Sequence, residues 1–148
     1  MPNKRVISKK SIELLQFRIK EEEQSSRLYL AMSLWLKNEG YVNAGKLWKE
    51  YSDEELEHAE WAREYLLSFG VSPDTPELKK VSRKYKGFPD IIKQSFQHEI
   101  KITLQIQKFG EHAKKIKDNM LYTLVQKYLK EQVDEHDKLQ NLLDHLHP

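Results

Sequence analysis

Four stretches of this chain, laid on helices, align every third and fourth residue alternately into stripes that hold no Lys or Arg, although the chain contains 25 of them. The first stripe is Ile12, Leu15, Ile19, Glu22, Ser26, Tyr29, Ser33 and Leu36. The second is Ala44, Trp48, Tyr51, Glu55, His58, Ala62, Tyr65 and Phe69. The third is Ile92, Ser95, Glu99, Ile102, Ile106, Phe109, Ala113 and Ile116, and the fourth is Leu121, Val125, Tyr128, Gln132, Glu135, Leu139, Leu142 and Leu146. Amphipathic helices of this kind bury their stripes against one another, so the expected class is all-α and the expected architecture a four-helix bundle. Six polar groups interrupt the seam near mid-helix: Glu22, Glu55, His58, Glu99, Gln132 and Glu135.

The six groups repeat. Glu55 follows Glu22 by 33 residues and His58 comes three later; Gln132 follows Glu99 by 33 residues and Glu135 comes three later. Turn signals separate the helices. Ser8 or Ser11 can cap the first, which runs to Asn38, and Gly40 suits a left-handed C-cap position. The second runs from about Asn43 to Phe69 with Gly70 beyond it, Pro89 suits the first turn of the third, and Asp118-Asn119 breaks the chain before the fourth. Short turns make antiparallel neighbours, so the helices form two hairpins. Between them, VSPDTPELKKVSRKYKG holds two of the five prolines and no sustained apolar period. It reads as a long crossover with room for a short helical turn, the one-crossover topology.

A length of 148 residues suits a single domain over 1–148. A net charge of +2 gives little support for nucleic acid as a partner. No apolar run approaches the length of a membrane span, and MPNKRVISKK lacks the apolar segment of a secretory signal. With no Cys, disulfides, thiolate zinc, iron–sulfur clusters and cysteine nucleophiles are excluded, and a cytoplasmic location is expected.

Buried carboxylates need cations. Each costs several kcal/mol after relaxation, against a total stability of about 5–15 kcal/mol for an ordinary domain. A single Glu or His on such a stripe has an ordinary explanation, a side chain reaching the rim or a hydrogen-bonded core group. Six at one level, with no Lys or Arg on the stripes to pair them, point instead to two metal ions. Four carboxylates balance two divalent cations, while His58 and Gln132 add neutral donors. Glu55-x-x-His58 places two ligands one turn apart on one face. Oxygen donors with few nitrogens suit iron or manganese better than copper.

The chain resembles the ferritins, in particular the non-haem bacterial type, from about Ser11 to Leu146. SDEELEHAEWAREYL is similar to the family's second-helix motif around Glu-x-x-His. EEEQSSRLY carries the matching Glu22 and Tyr29, HEIKITLQI supplies Glu99, and EQVDEHDKL supplies Gln132 and Glu135. The resemblance implies a ferritin-like four-helix bundle with an iron site inside one chain. One iron would be held by Glu22, Glu55 and His58, and a second mainly by Glu99 with Glu55. A third iron would lie near Glu54, Glu131, Asp134 and Glu135, and Tyr29 would hydrogen-bond a ligand or donate an electron. Rubrerythrins and bacterioferritins usually carry a second Glu-x-x-His where this chain has Gln132-x-x-Glu135, and His136 is one residue late for it. The haem-ligating Met of bacterioferritins would fall at Leu56, so no haem is expected. The sequence stops at Pro148, so no fifth helix is expected.

The activity implied is that of a ferroxidase: Fe²⁺ is oxidised to Fe³⁺ by O₂ or H₂O₂ and stored in a homo-oligomeric cage. Glu57 and Glu60 belong to an acidic stripe that would face the inside of a cage and nucleate mineral; a solvated helix face is an equal reading. Two rivals stay open, a non-storing di-iron oxidase or peroxidase resembling rubrerythrin and a Dps-like DNA-protecting protein. His145 and His147 read as frayed surface residues, and the basic crossover (Lys79, Lys80, Arg83, Lys84, Lys86) as a solvated loop. Leu28, Trp35, Trp61 and Leu67 lie outside the stripes and suit contacts between chains.

Overall fold

A computed structural model describes residues 6–146, so His147 and the start of the basic N-terminal segment lie outside the described residues. Among the described residues all regular structure is helical: α1 Lys9–Asn38, α2 Val42–Ser68, α3 Phe88–Lys115 and α4 Asn119–Leu146. Two compact units divide the chain after Arg83; α1 and α2 form the first, α3 and α4 the second.

The helix ends follow local chemistry. Ser8 is the N-cap of α1, its hydroxyl accepting from the Ser11 amide at 3.1 Å. Three helices then stop in the same way, with the chain turning left-handed and an amide reaching back across the last turn. Gly40 (φ 91°) precedes the Tyr41 N–H bond to Leu36 O, and Gly70 (φ 74°) precedes the Val71 N–H bond to Leu66 O. At the end of α3 the left-handed residue is Lys117 (φ 56°), before the Asp118 N–H bond to Ala113 O. Asp118 then caps α4 through its carboxylate and the Leu121 amide.

Small and hydroxylated residues draw α1 and α2 together. Ser33 donates to Gly45 O at 2.6 Å, and Ser52 Oγ lies 2.9 Å from Ser26 Oγ while donating to Ser26 O. Each step away from the turn on α1 is matched by one on α2. This register sets Glu22 opposite Glu55 and His58.

The expected helical turn in the crossover is not formed: residues 71–85 carry no helix. The first part is held to α1 instead. The Gln24 amide brackets Lys79, donating to its carbonyl and accepting from its N–H, and Gln16 accepts from the Asp74 N–H. A stretch whose backbone groups bond to side chains on a helix has no need of its own helical ladder.

The stripes are buried except at Ile12, Ala44, Tyr65, Ile116, Leu142 and Leu146, toward the helix ends. The stripes hold no Lys or Arg, but one of their carboxylates, Glu22, has an internal cation from beside them: Arg18, which retains only 1% of its exposure. It stands beside Ile19 on the edge of the first stripe, and the buried face of a packed helix is wider than a line of third and fourth residues. No helix among the described residues is long and apolar enough to cross a membrane.

Candidate metal centre

Glu22 projects from α1, and Glu55 and His58 from successive turns of α2; all three are buried. One ligand atom from each lies within 4.8 Å of the others, a spacing that a single cation can bridge. His58 Nδ1 is 3.3 Å from Glu55 Oε2 and 3.8 Å from Glu22 Oε2. The Trp61 ring packs against the His58 ring at 4.7 Å and holds its plane.

The two oxygens of Glu22 have different surroundings. Oε1 accepts from Arg18 Nε at 3.0 Å. Oε2 is buried and has no hydrogen-bond partner, an expensive state for a carboxylate oxygen that a bound cation relieves. Burial alone pushes the Glu22 carboxyl up. The adjoining Glu55 side chain, the Arg18 guanidinium and the His58 imidazole outweigh it and bring the pKa down to about 2. Glu22 is thus an anion at neutral pH. An anionic oxygen, a second carboxylate and an imidazole fit ferrous iron as a donor set.

Glu99 on α3 and Gln132 and Glu135 on α4 are also buried. Gln132 Nε2 donates to Glu99 Oε2 and to Thr103 Oγ1, both at 2.9 Å. Thr103 Oγ1 in turn donates to Glu99 O and lies 2.9 Å from His136 Nε2. Thr103 Oγ1 thus links the Gln132 amide, the Glu99 backbone carbonyl and the His136 ring in one hydrogen-bonded group. Lys138 Nζ approaches Glu135 Oε1 at 3.8 Å.

Tyr29 is buried on α1, its ring edge-on to Tyr51 at 6.1 Å, and Tyr51 meets Trp48 at 5.1 Å. Of the residues expected at a third iron, Glu54 and Glu131 are half-buried and Asp134 is exposed. Glu57 and Glu60 are exposed, and Glu60 accepts from Arg63, which also pairs with Glu23. Four residues beside the sites were not singled out from the sequence as site residues: Arg18, Trp61, Thr103 and His136. A signal existed for each, since each sits three or four positions from a ligand on the same helix.

The ferritin-like domain model matches residues 12–147. A bacterial non-heme ferritin of Campylobacter jejuni is 28% identical over 139 residues, 94% of this chain and 83% of that protein. A probable bacterial non-heme ferritin-like protein of Haemophilus influenzae is 27% identical over 95% of this chain and 86% of its own. Among solved structures, an open pore ferritin from the hyperthermophilic archaeon Archaeoglobus fulgidus superposes with a TM-score of 0.93 at 25% identity, covering 95% of this chain and 87% of that one. The fold is therefore the all-α four-helix bundle, with no fifth helix among the described residues. Matched by the family model over nearly its whole length and carrying buried carboxylates and an imidazole on its helices, this chain belongs to the ferritin family.

Proposed function

We propose that the chain is a ferroxidase of ferritin type, taking Fe²⁺ as substrate at a di-iron centre within one subunit. The observation that carries this reading is the buried trio Glu22, Glu55 and His58, with Glu22 Oε2 unsatisfied among them. In this reading the trio holds the first iron, Glu99 with Glu55 holds the second, and Gln132 and Glu135 complete the set. Two Fe²⁺ give up two electrons, reducing O₂ to H₂O₂ with two protons, or H₂O₂ to two waters. The residues supply anionic donors, exclude water and hold the carboxylates in place, with Gln132 orienting Glu99 and Trp61 orienting His58. Tyr29 stands as a buried hydrogen-bond or electron donor on the Glu22 helix. Glu54, Glu131 and Asp134 with Glu135 form a weaker third position, and Glu57 and Glu60 serve mineral nucleation.

Storage follows in the same reading: ferric product collects inside a cage of identical subunits forming a single ferritin-like domain each, in the cytoplasm and without haem. A surface groove of about 470 Å³ supports assembly, because Leu30, Ala31, Leu34, Trp35 and Val81 line it with apolar surface. Anaerobic Fe²⁺ titration tests the centre: two equivalents per chain are expected, and saturation at one or none rejects it. Aerobic loading followed by size measurement tests storage. A dimer that retains no mineral favours the non-storing di-iron oxidase or peroxidase.

A further inference from the structure

A cation already sits against one member of the first ligand cluster. Arg18 and Glu22 are one helical turn apart on α1, each about 1% exposed, with Arg18 Nε 3.0 Å from Glu22 Oε1. Neither charge reaches water, and each offsets part of the other's desolvation. The pairing splits the carboxylate: Oε1 is taken, while Oε2 is buried without a hydrogen bond and lies 3.8 Å from His58 Nδ1. No stripe residue does this. Elsewhere in unit one, the Lys49–Asp53 pair is exposed and Arg63, which pairs with Glu60 and Glu23, is only half-buried.

We propose that Arg18 is a permanent counter-ion of the iron site, which makes Glu22 a one-oxygen ligand and sets the affinity of the first metal position. The inference rests on the metal reading of Glu22, Glu55 and His58. Two consequences follow from charge alone. In the metal-free chain Arg18 does part of the work that a metal would do, so the bundle holds its carboxylates before iron arrives. In the loaded chain the fixed charge opposes the bound ion, and a trivalent ion more than a divalent one, so it favours emptying after oxidation.

The test is anaerobic Co²⁺ binding by calorimetry and visible absorption, with thermal unfolding of the metal-free and Co²⁺-loaded forms, for wild type, Arg18→Gln and Arg18→Lys. Arg18→Gln is expected to bind the first Co²⁺ at least about tenfold more tightly, because a competing charge is gone. Its metal-free Tm is expected to fall by on the order of 10 °C, because Glu22 keeps a buried charge without its partner. Arg18→Lys, which keeps the charge, is expected to stay within about threefold of wild-type affinity. An Arg18→Gln chain that folds only with Co²⁺ also supports the inference, since metal then replaces the missing cation. Affinity in Arg18→Gln equal to or weaker than wild type overturns it. So does failure of that variant to fold even with Co²⁺, or binding by Arg18→Lys that is as much tighter than wild type as that of Arg18→Gln. If wild type itself binds no Co²⁺, the metal reading fails first, and that result is distinct from all of these.

Discussion

Gln132 Nε2 stands 2.9 Å from Glu99 Oε2, so α4 presents a neutral hydrogen-bond donor to this carboxylate. The same nitrogen reaches Thr103 Oγ1, and His136 closes the network from the next turn of α4. A neutral donor costs less to bury beside a carboxylate than a second anion, and it fixes which way Glu99 points.

Gln132→Leu removes these bonds at similar volume. The metal-free protein is expected to lose about 1–3 kcal/mol, because the buried Glu99 carboxylate loses the Gln132 hydrogen-bond donor, and the second iron is expected to bind more weakly. Urea unfolding and anaerobic titration check the two effects. Unchanged stability would show that the network holds nothing in place.

Glu55→Ala and His58→Ala are each expected to slow Fe²⁺ oxidation by at least about a hundredfold while the hairpin stays folded, since each removes a ligand from a preorganised set. In Glu55→Ala the Arg18–Glu22 pair survives and one buried carboxylate is gone, so metal-free stability should hold level or rise. Stopped-flow oxidation and circular dichroism decide it. Unfolding of metal-free Glu55→Ala would make Glu55 a structural residue.

The Glu22 carboxyl is lowered from 4.5 to about 2 in the folded state. A depressed carboxyl contributes stability that is whole above its unfolded pKa and is lost as pH falls through the folded one. The stability gap between wild type and Glu22→Gln, both metal-free, should therefore narrow as pH drops from 4.5 toward 2. A gap that is constant over this window would contradict the charge assignment.

Lys117 holds a left-handed conformation (φ 56°) that Gly40 and Gly70 supply at the other two helix ends. Relieving that strain gains about 1–2 kcal/mol, and the extra freedom of an unfolded glycine returns about 0.5–1 kcal/mol. Lys117→Gly should stabilise the chain by up to about 1.5 kcal/mol by these magnitudes, with and without metal. Chemical denaturation of both forms measures it; destabilisation would mean that the Lys117 side chain does something for the turn.

Helices, hairpins and the six buried polar groups were legible in the sequence, because each depends on local rules. A stripe of third and fourth residues marks the buried face, and Gly40 and Gly70 mark positions that tolerate positive φ. The repeated 33-residue spacing likewise matched residues that the hairpins pair, Glu22 with Glu55 and Glu99 with Gln132. What tertiary structure alone decided was which neighbours of those stripes also went inside. Arg18 is adjacent to Ile19 and, by composition, belongs on the surface; packing of α1 instead buries it against Glu22, and once both are buried, removing either partner would leave an uncompensated charge. The crossover shows the same division. Its prolines said that it would not be a long helix, but only the fold supplied the Gln16 and Gln24 side chains that satisfy its backbone and leave it extended along α1. Periodicity reports one residue's preference for a face, whereas a buried ion pair or a tethered backbone is a property of two segments brought together.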